Sequence, residues 1–163
     1  MVKIISDRTC DLSPELIAKY DIDILPLHIL LGEDEYEDGK NITPEQIYSW
    51  SDENKTTPKT SAPALTDAIE LFKPYIDEGR EIVCFSISSS MSTSGNVMRI
   101  AAEELEAEDC ITVIDSANLS TGIGHQVVEA AIMAQHGMNA DEIVSYIEQI
   151  KPKVRASFVV DTL

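Results

Sequence analysis

The densest group of hydroxyls in the chain is Ser88-Ser89-Ser90-Met91-Ser92-Thr93-Ser94-Gly95, directly after the apolar run from Ile82 to Ile87. Behind it Val97, Ile100, Ala101 and Leu105 fall at helical spacing, so the segment reads as a strand-to-helix turn. The first amides of such a helix lack intrahelical partners, and its dipole adds about half a positive charge. Ser90, Ser92, Thr93 and Ser94 can add hydroxyl donors, and the set could hold an anion without a lysine. The plainer reading is one serine capping the helix among ordinary loop residues. Thr60-Ser61 is a second hydroxyl pair, inside a polar stretch from Ser51 to Pro63 where Pro58 and Pro63 block a helix. That stretch is expected to be a loop.

Other chemistry is less well served. Asp7, Asp115 and Asp161 each follow an apolar run, where a magnesium-dependent phosphotransferase places carboxylates at strand ends. Asp7-Arg8-Thr9 lacks a second acid two positions on, and aspartate is common in caps and turns. His28, His125 and His136 are scattered; His28 in an apolar run suggests packing, His136 at a helix end a dipole role. No GxSxG elbow accompanies Ser92, so no catalytic residue is assigned. Cys10, Cys84 and Cys110 lack metal-ligand spacing; Cys84 and Cys110 lie in apolar segments and read as reduced core hydrophobes. No metal site and no cofactor are expected.

These residues must be positioned by the rest of the chain. Its 163 residues, 44% of them hydrophobic, suffice for one globular domain. No window reaches the roughly 18 continuous apolar residues of a membrane span. Met1 to Ile5 lacks the pattern of a signal peptide, so a cytoplasmic location is expected. With 12 basic against 29 acidic residues the formal charge is −17, which disfavours nucleic acid as a partner and requires any anion site to be built from local dipoles. Glu103, Glu104, Glu106, Glu108 and Asp109 read as a solvated helix face, or alternatively as the acidic face of an interaction domain.

Strands are expected at 2–6, within 22–31, and at 82–87, 111–114 and 154–160, with a hairpin excursion at Gly32 to Tyr36 and a turn at Asp38-Gly39. Helices are expected to start at Ser13-Pro14, at Thr43-Pro44 and at Asn139. Others carry Leu65 to Ile76, shortened or kinked by Pro74; Val97 to Leu105; and Ile123 to Ala134. The alternation predicts an α/β fold, a mostly parallel sheet with helices on both faces in three layers.

In order, Asp7-Arg8-Thr9-Cys10-Asp11-Leu12, Tyr36-Glu37-Asp38-Gly39, Ile42-Thr43-Pro44-Glu45, Pro58-Lys59-Thr60-Ser61-Ala62-Pro63, Ile87-Ser88-Ser89-Ser90-Met91-Ser92, Val113-Ile114-Asp115-Ser116 and Phe158-Val159-Val160-Asp161-Thr162-Leu163 resemble motifs of the DegV family. The resemblance implies a non-catalytic bacterial protein that buries a long-chain fatty acid between two α/β domains and presents it to a fatty acid kinase for phospholipid synthesis. It places the family's carboxylate-binding threonine, in a Thr-Ser-x-Pro motif, at Thr60 with Ser61 beside it. The carboxylate-binding serine falls at Ser92, in the turn that also holds Ser90 and Thr93. Arg8 stands where the family usually has serine, and Thr93-Ser94-Gly95 replaces its Gly-Thr-Tyr. Family members continue beyond the point matching Leu163 into a lid-like domain with an arginine and a histidine. Residues 1–163 are therefore expected to be an N-terminal α/β domain that either self-associates or shows an open hydrophobic groove beside Ser92.

Overall fold

The structure is a computed structural model, and it describes residues 1–159. Four parallel strands form its centre: β1 (Lys3–Asp7), β2 (Ile22–Leu25), β6 (Ile82–Ser86) and β7 (Ile111–Asp115), in the spatial order β2-β1-β6-β7. Every residue of β1 and β6 is buried, as befits central strands covered on both faces. On one face, Ile4, Val83, Phe85 and Ile114 pack with Ile123 and Val127 of α5 (Thr121–Gln135), Ile143 and Ile147 of α6 (Ala140–Ile150), and Ile17 of α1 (Pro14–Lys19). On the other, Ile5, Leu25, Ile82 and Cys84 meet Ala68 and Phe72 of α3 (Leu65–Asp77) and Met98, Ala101 and Ala102 of α4 (Ser94–Glu104). The predicted three-layer α/β fold is the observed one.

The capping signals act where they were read. Ser13 accepts the Leu16 amide, while Thr43 with Gln46 and Asn139 with Glu142 form reciprocal capping boxes. Pro74 lies inside α3, which continues to Asp77, so the expected interruption is confined to the last turn.

A second, antiparallel sheet has the order β4-β3-β5. The apolar run 22–31 splits at Pro26-Leu27: β3 (His28–Leu31) leaves the main sheet and turns through Gly32-Glu33 into β4 (Asp34–Glu37). Ile29, Leu31 and Ile42 form a small core with Tyr36 and with Ile47 and Trp50 of α2 (Pro44–Asn54).

Three expectations are corrected. The stretch 51–63 is not all loop: α2 runs to Asn54, and Lys59–Ser61 is strand β5, paired antiparallel with β3 through Thr60↔Ile29. All three β5 residues are exposed, so backbone pairing rather than apolar alternation makes the strand. The strand expected at 154–160 is absent over residues 154–159, and Val160 lies outside the described residues. A 3-10 turn at Lys151–Lys153 with Pro152 ends α6, and the Val154 carbonyl is bound by the Asn118 side chain at 3.0 Å. Cys110, finally, is exposed, whereas Cys10 and Cys84 are buried as small core groups.

Candidate functional site

The strand order fixes where a site can form. From β1 the chain crosses to one edge of the sheet and from β6 to the other, so loops diverge beyond the carboxyl ends of these neighbours and leave a crevice. Asp7 ends β1 and is wholly buried. Its carboxylate accepts the Thr9 amide at 3.2 Å, the Thr9 hydroxyl, and the Ile87 amide at 2.9 Å, stitching the two strand ends together. Burial raises its pKa above the ordinary aspartate value, and these donors, with the Ser94 hydroxyl, only partly offset that.

The serine turn follows Ile87. Its outer part is tied to β7: Asp115 accepts the Ser89 hydroxyl at 2.5 Å and the Ala117 amide at 2.8 Å. Burial would raise the pKa of Asp115, but the Ser89 and Ala117 donors and the nearby Lys151 charge hold it below the usual value. Asp7 and Asp115 thus serve as turn acceptors, and Asp161 lies outside the described residues. Ser90 is exposed and pairs with Ser88, Oγ to Oγ, at 2.9 Å. Ser92 is half-buried: its Oγ accepts the Ser94 amide at 3.2 Å and lies 3.0 Å from the Ser94 Oγ. Helix α4 starts at Ser94; its N-cap Thr93 makes no side-chain cap, and the first helical amide is taken instead by the Ser92 Oγ, so one serine of the turn does serve the helix start. Gly95 lets the helix approach β6, since a Cβ there would stand 2.6 Å from the Ser86 Oγ.

Thr60, Ser61, Ser92 and Thr93 line one cavity of about 500 Å³, also bordered by Thr9 and Asp38 and walled by Leu27, Ile29, Ile87 and Met91. Ser90 does not line it. The small sheet delivers Thr60 from one side, and the turn after β6 delivers Ser92 from the other. Among the described residues no lysine or arginine lines the cavity. Its chemistry is that of hydroxyl donors beside an apolar wall, with the Asp38 carboxyl at its border, suited to an amphiphile with a small polar head.

A neighbouring cleft of about 390 Å³ shares Asp38 and is lined by Arg8, Lys40, Ile17 and Ile24. The Arg8 guanidinium lies on Gly39, whose φ of +76° belongs to the left-handed region and where a Cβ would stand 2.8 Å from Arg8 Nε. Burial raises the Asp38 pKa, against the attraction of Arg8. His28, read from sequence as a packing residue, is instead an ion-pair bridge: its ring contacts Glu35 and Asp67, each at 2.8 Å. His125 is exposed, and His136 at the end of α5 contacts the Ile132 carbonyl at 2.8 Å. Sequence reasoning missed Thr9, Asp38, Leu27 and Ile29 as lining residues. The Asp38-Gly39 turn was visible, but nothing local showed that it faces the serine turn.

The DegV family model matches residues 1–163. The chain belongs to the DegV family. A DegV domain-containing protein of Clostridium perfringens is 35% identical over 162 residues, which are 99% of this chain and 58% of that protein. A stearic acid-binding protein from Eubacterium ventriosum shares 32% identity and superimposes with a TM-score of 0.82, over 91% of this chain and 52% of that one. A Thermotoga maritima protein whose structure revealed fatty acid binding shares 26% identity at a TM-score of 0.80, over 91% of this chain and 54% of that one. The DegV chain described here spans somewhat more than half the length of these relatives. Among the described residues no helix is long and apolar enough to cross a membrane.

Proposed function

We propose that this DegV chain binds a long-chain fatty acid, with Thr60 and Ser92 holding the carboxylate, and presents it in the cytoplasm to a fatty acid kinase that phosphorylates it. The observation that carries the reading is the meeting of Thr60 and Ser92, 32 positions apart (92 − 60), on one cavity with an apolar wall. Stearic acid binding by the Eubacterium ventriosum relative supports the ligand class. Each buried methylene contributes about 0.8 kcal/mol, so the tail supplies most of the affinity and the hydroxyls supply orientation. Ser92 has a serine and no imidazole as its hydroxyl neighbour, which supports a binding role over a nucleophilic one. The kinase step rests on the family resemblance.

Native mass spectrometry of the full protein is expected to show a co-purified fatty acid. Replacing Thr60 with valine and Ser92 with alanine together is expected to weaken fatty-acid binding by roughly two to four orders of magnitude. Kinase turnover of the bound lipid should fall at least as far. Unchanged affinity with unchanged turnover would remove both residues from the site.

A further inference from the structure

We propose that His28 is a positioning residue for the head-group site: in its charged form it ties the small sheet that carries Thr60 to the start of α3, and so fixes Thr60 opposite the serine turn. The inference rests on the carboxylate-binding reading of Thr60.

The two hydroxyls of the site ride on different parts of the molecule. Ser92 follows β6 of the main sheet, whereas Thr60 belongs to β5, an edge strand of three exposed residues held by its ladder to β3. Their separation is set by how the small sheet is tied to the main one. His28, the first residue of β3, makes such a tie: its Nε2 stands 2.8 Å from the Asp67 Oδ2 in the first turn of α3. Helix α3 in turn packs on the main sheet through Ala68 and Phe72. Among the described residues this is the one ion pair that joins the small sheet to a helix of the main one. It closes beside the site, because His28 is in register with Ser61 while its neighbour Ile29, which walls the cavity, is in register with Thr60. Ala62, Pro63 and Ala64 alone separate β5 from α3, so the bridge completes a short ring of β3, β5 and the start of α3.

The proton on the ring decides how firmly the tie holds. Nδ1 lies 2.8 Å from the Glu35 Oε1 on β4, so each ring nitrogen faces a carboxylate. Carboxylates only accept, and a neutral imidazole has one N–H where the charged ring has two. Both contacts are hydrogen bonds only in the charged ring. Asp67 and Glu35 accordingly raise the His28 pKa. Of the other groups that face it, Glu37, its register partner on β4, is engaged by Lys40, and Ser61 on β5 is uncharged; Lys59 stands further along β5, opposite Leu30. When the ring loses its proton, the exposed Glu35 can turn to solvent and the Asp67 contact loses the attraction of opposite charges. The tie weakens and Thr60 is less well placed.

Oleate affinity of the full protein, measured by titration at pH 6.5 and at pH 9, tests the tie. His28→Asn is expected to weaken binding about fivefold at pH 6.5 and by less than about twofold at pH 9, since the unmodified protein loses the same charge as the pH rises. Asp67→Asn should show the same pattern, and it decides alone if circular dichroism shows His28→Asn to be unfolded. A general loosening of the fold would weaken binding whatever stands at position 60. In a Thr60→Val background, by contrast, His28→Asn is expected to cost less than about twofold at either pH, because the hydroxyl that it places is gone. Unchanged affinity in folded His28→Asn at pH 6.5 overturns the positioning role and leaves the carboxylate reading standing. So does a loss that is equal at both pH values, or as large in the Thr60→Val background. If Thr60→Val alone leaves oleate affinity unchanged at both pH values, the carboxylate reading of Thr60 falls and the inference with it.

Discussion

The two ends of β1 each bury a charged residue, and they do so by opposite means. At the amino end Lys3, with 2% of its side chain exposed, is met by Asp21 at 2.9 Å and Asp23 at 3.0 Å and lies 5.1 Å from the Tyr75 ring. At the carboxyl end Asp7 is met, among the described residues, by neutral donors and not by a cation. Burial disfavours both charges. For Lys3 it lowers the pKa, but the two aspartates more than reverse this, and the charged form is stabilised. For Asp7 the donors fall short, and the charged form stays disfavoured. One end is a closed ion cluster that holds β1 to β2. The other gathers amides and hydroxyls around an anion, next to a cavity with more hydroxyls of the same kind. The strand thus satisfies its charge completely at one end and incompletely at the other, and the incompletely satisfied end is the one beside the cavity.

The largest effect that separates the ends is on ligand affinity. Thr60→Val with Ser92→Ala should cost about 3–6 kcal/mol of fatty-acid binding, read by titration, with little change in the denaturation midpoint. Lys3→Met should reverse that pattern, losing about 3 kcal/mol of stability in chemical denaturation because two acids lose their buried partner, while affinity stays within about twofold. Comparable affinity losses in both variants would dissolve the distinction.

Gly95→Ala should lie between them, since the added Cβ would stand 2.6 Å from the Ser86 Oγ and force the start of α4 away from β6. A stability cost of about 1–3 kcal/mol is expected together with weaker fatty-acid binding, because Ser92 moves with the helix.

The smallest effect concerns the His28 bridge between the small sheet and α3. The His28 pKa is raised, chiefly by its bond to Asp67 and further by Glu35, against a smaller opposing effect of burial. Glu37 stands opposite it across the strand pair. A histidine with a raised folded-state pKa contributes stability that is fully present below its unfolded value, about 6.5, and lost as the pH rises through the folded value. The melting temperature of the protein should therefore exceed that of a His28→Asn variant most clearly below about pH 6.5, with the difference shrinking at higher pH. A difference that grows with pH would contradict the bridge.

Much of this molecule was legible residue by residue. Ser13, Thr43 and Asn139 start helices because a side-chain oxygen reaches an amide three residues away, which is local chemistry. The run from Ile82 became a central strand because a buried parallel strand needs a continuous apolar stretch. Strand β5 was missed because its residues are exposed and its partner β3 lies about thirty residues earlier, at Ile29 for Thr60. Residues 154–159 misled because apolar composition alone cannot supply a strand with a neighbour.

By itself the sequence determined the kind of chemistry available: hydroxyls without a base, in a chain whose acidic excess excludes a site built on long-range attraction. Only the tertiary structure decided which hydroxyls share a cavity. Thr60 and Ser92 share a cavity because β5 pairs with β3 and because the chain diverges between β1 and β6. Both are contacts between distant segments, whose closure entropy is offset by the assembled core rather than by any local preference, and so they leave no mark in the neighbouring residues.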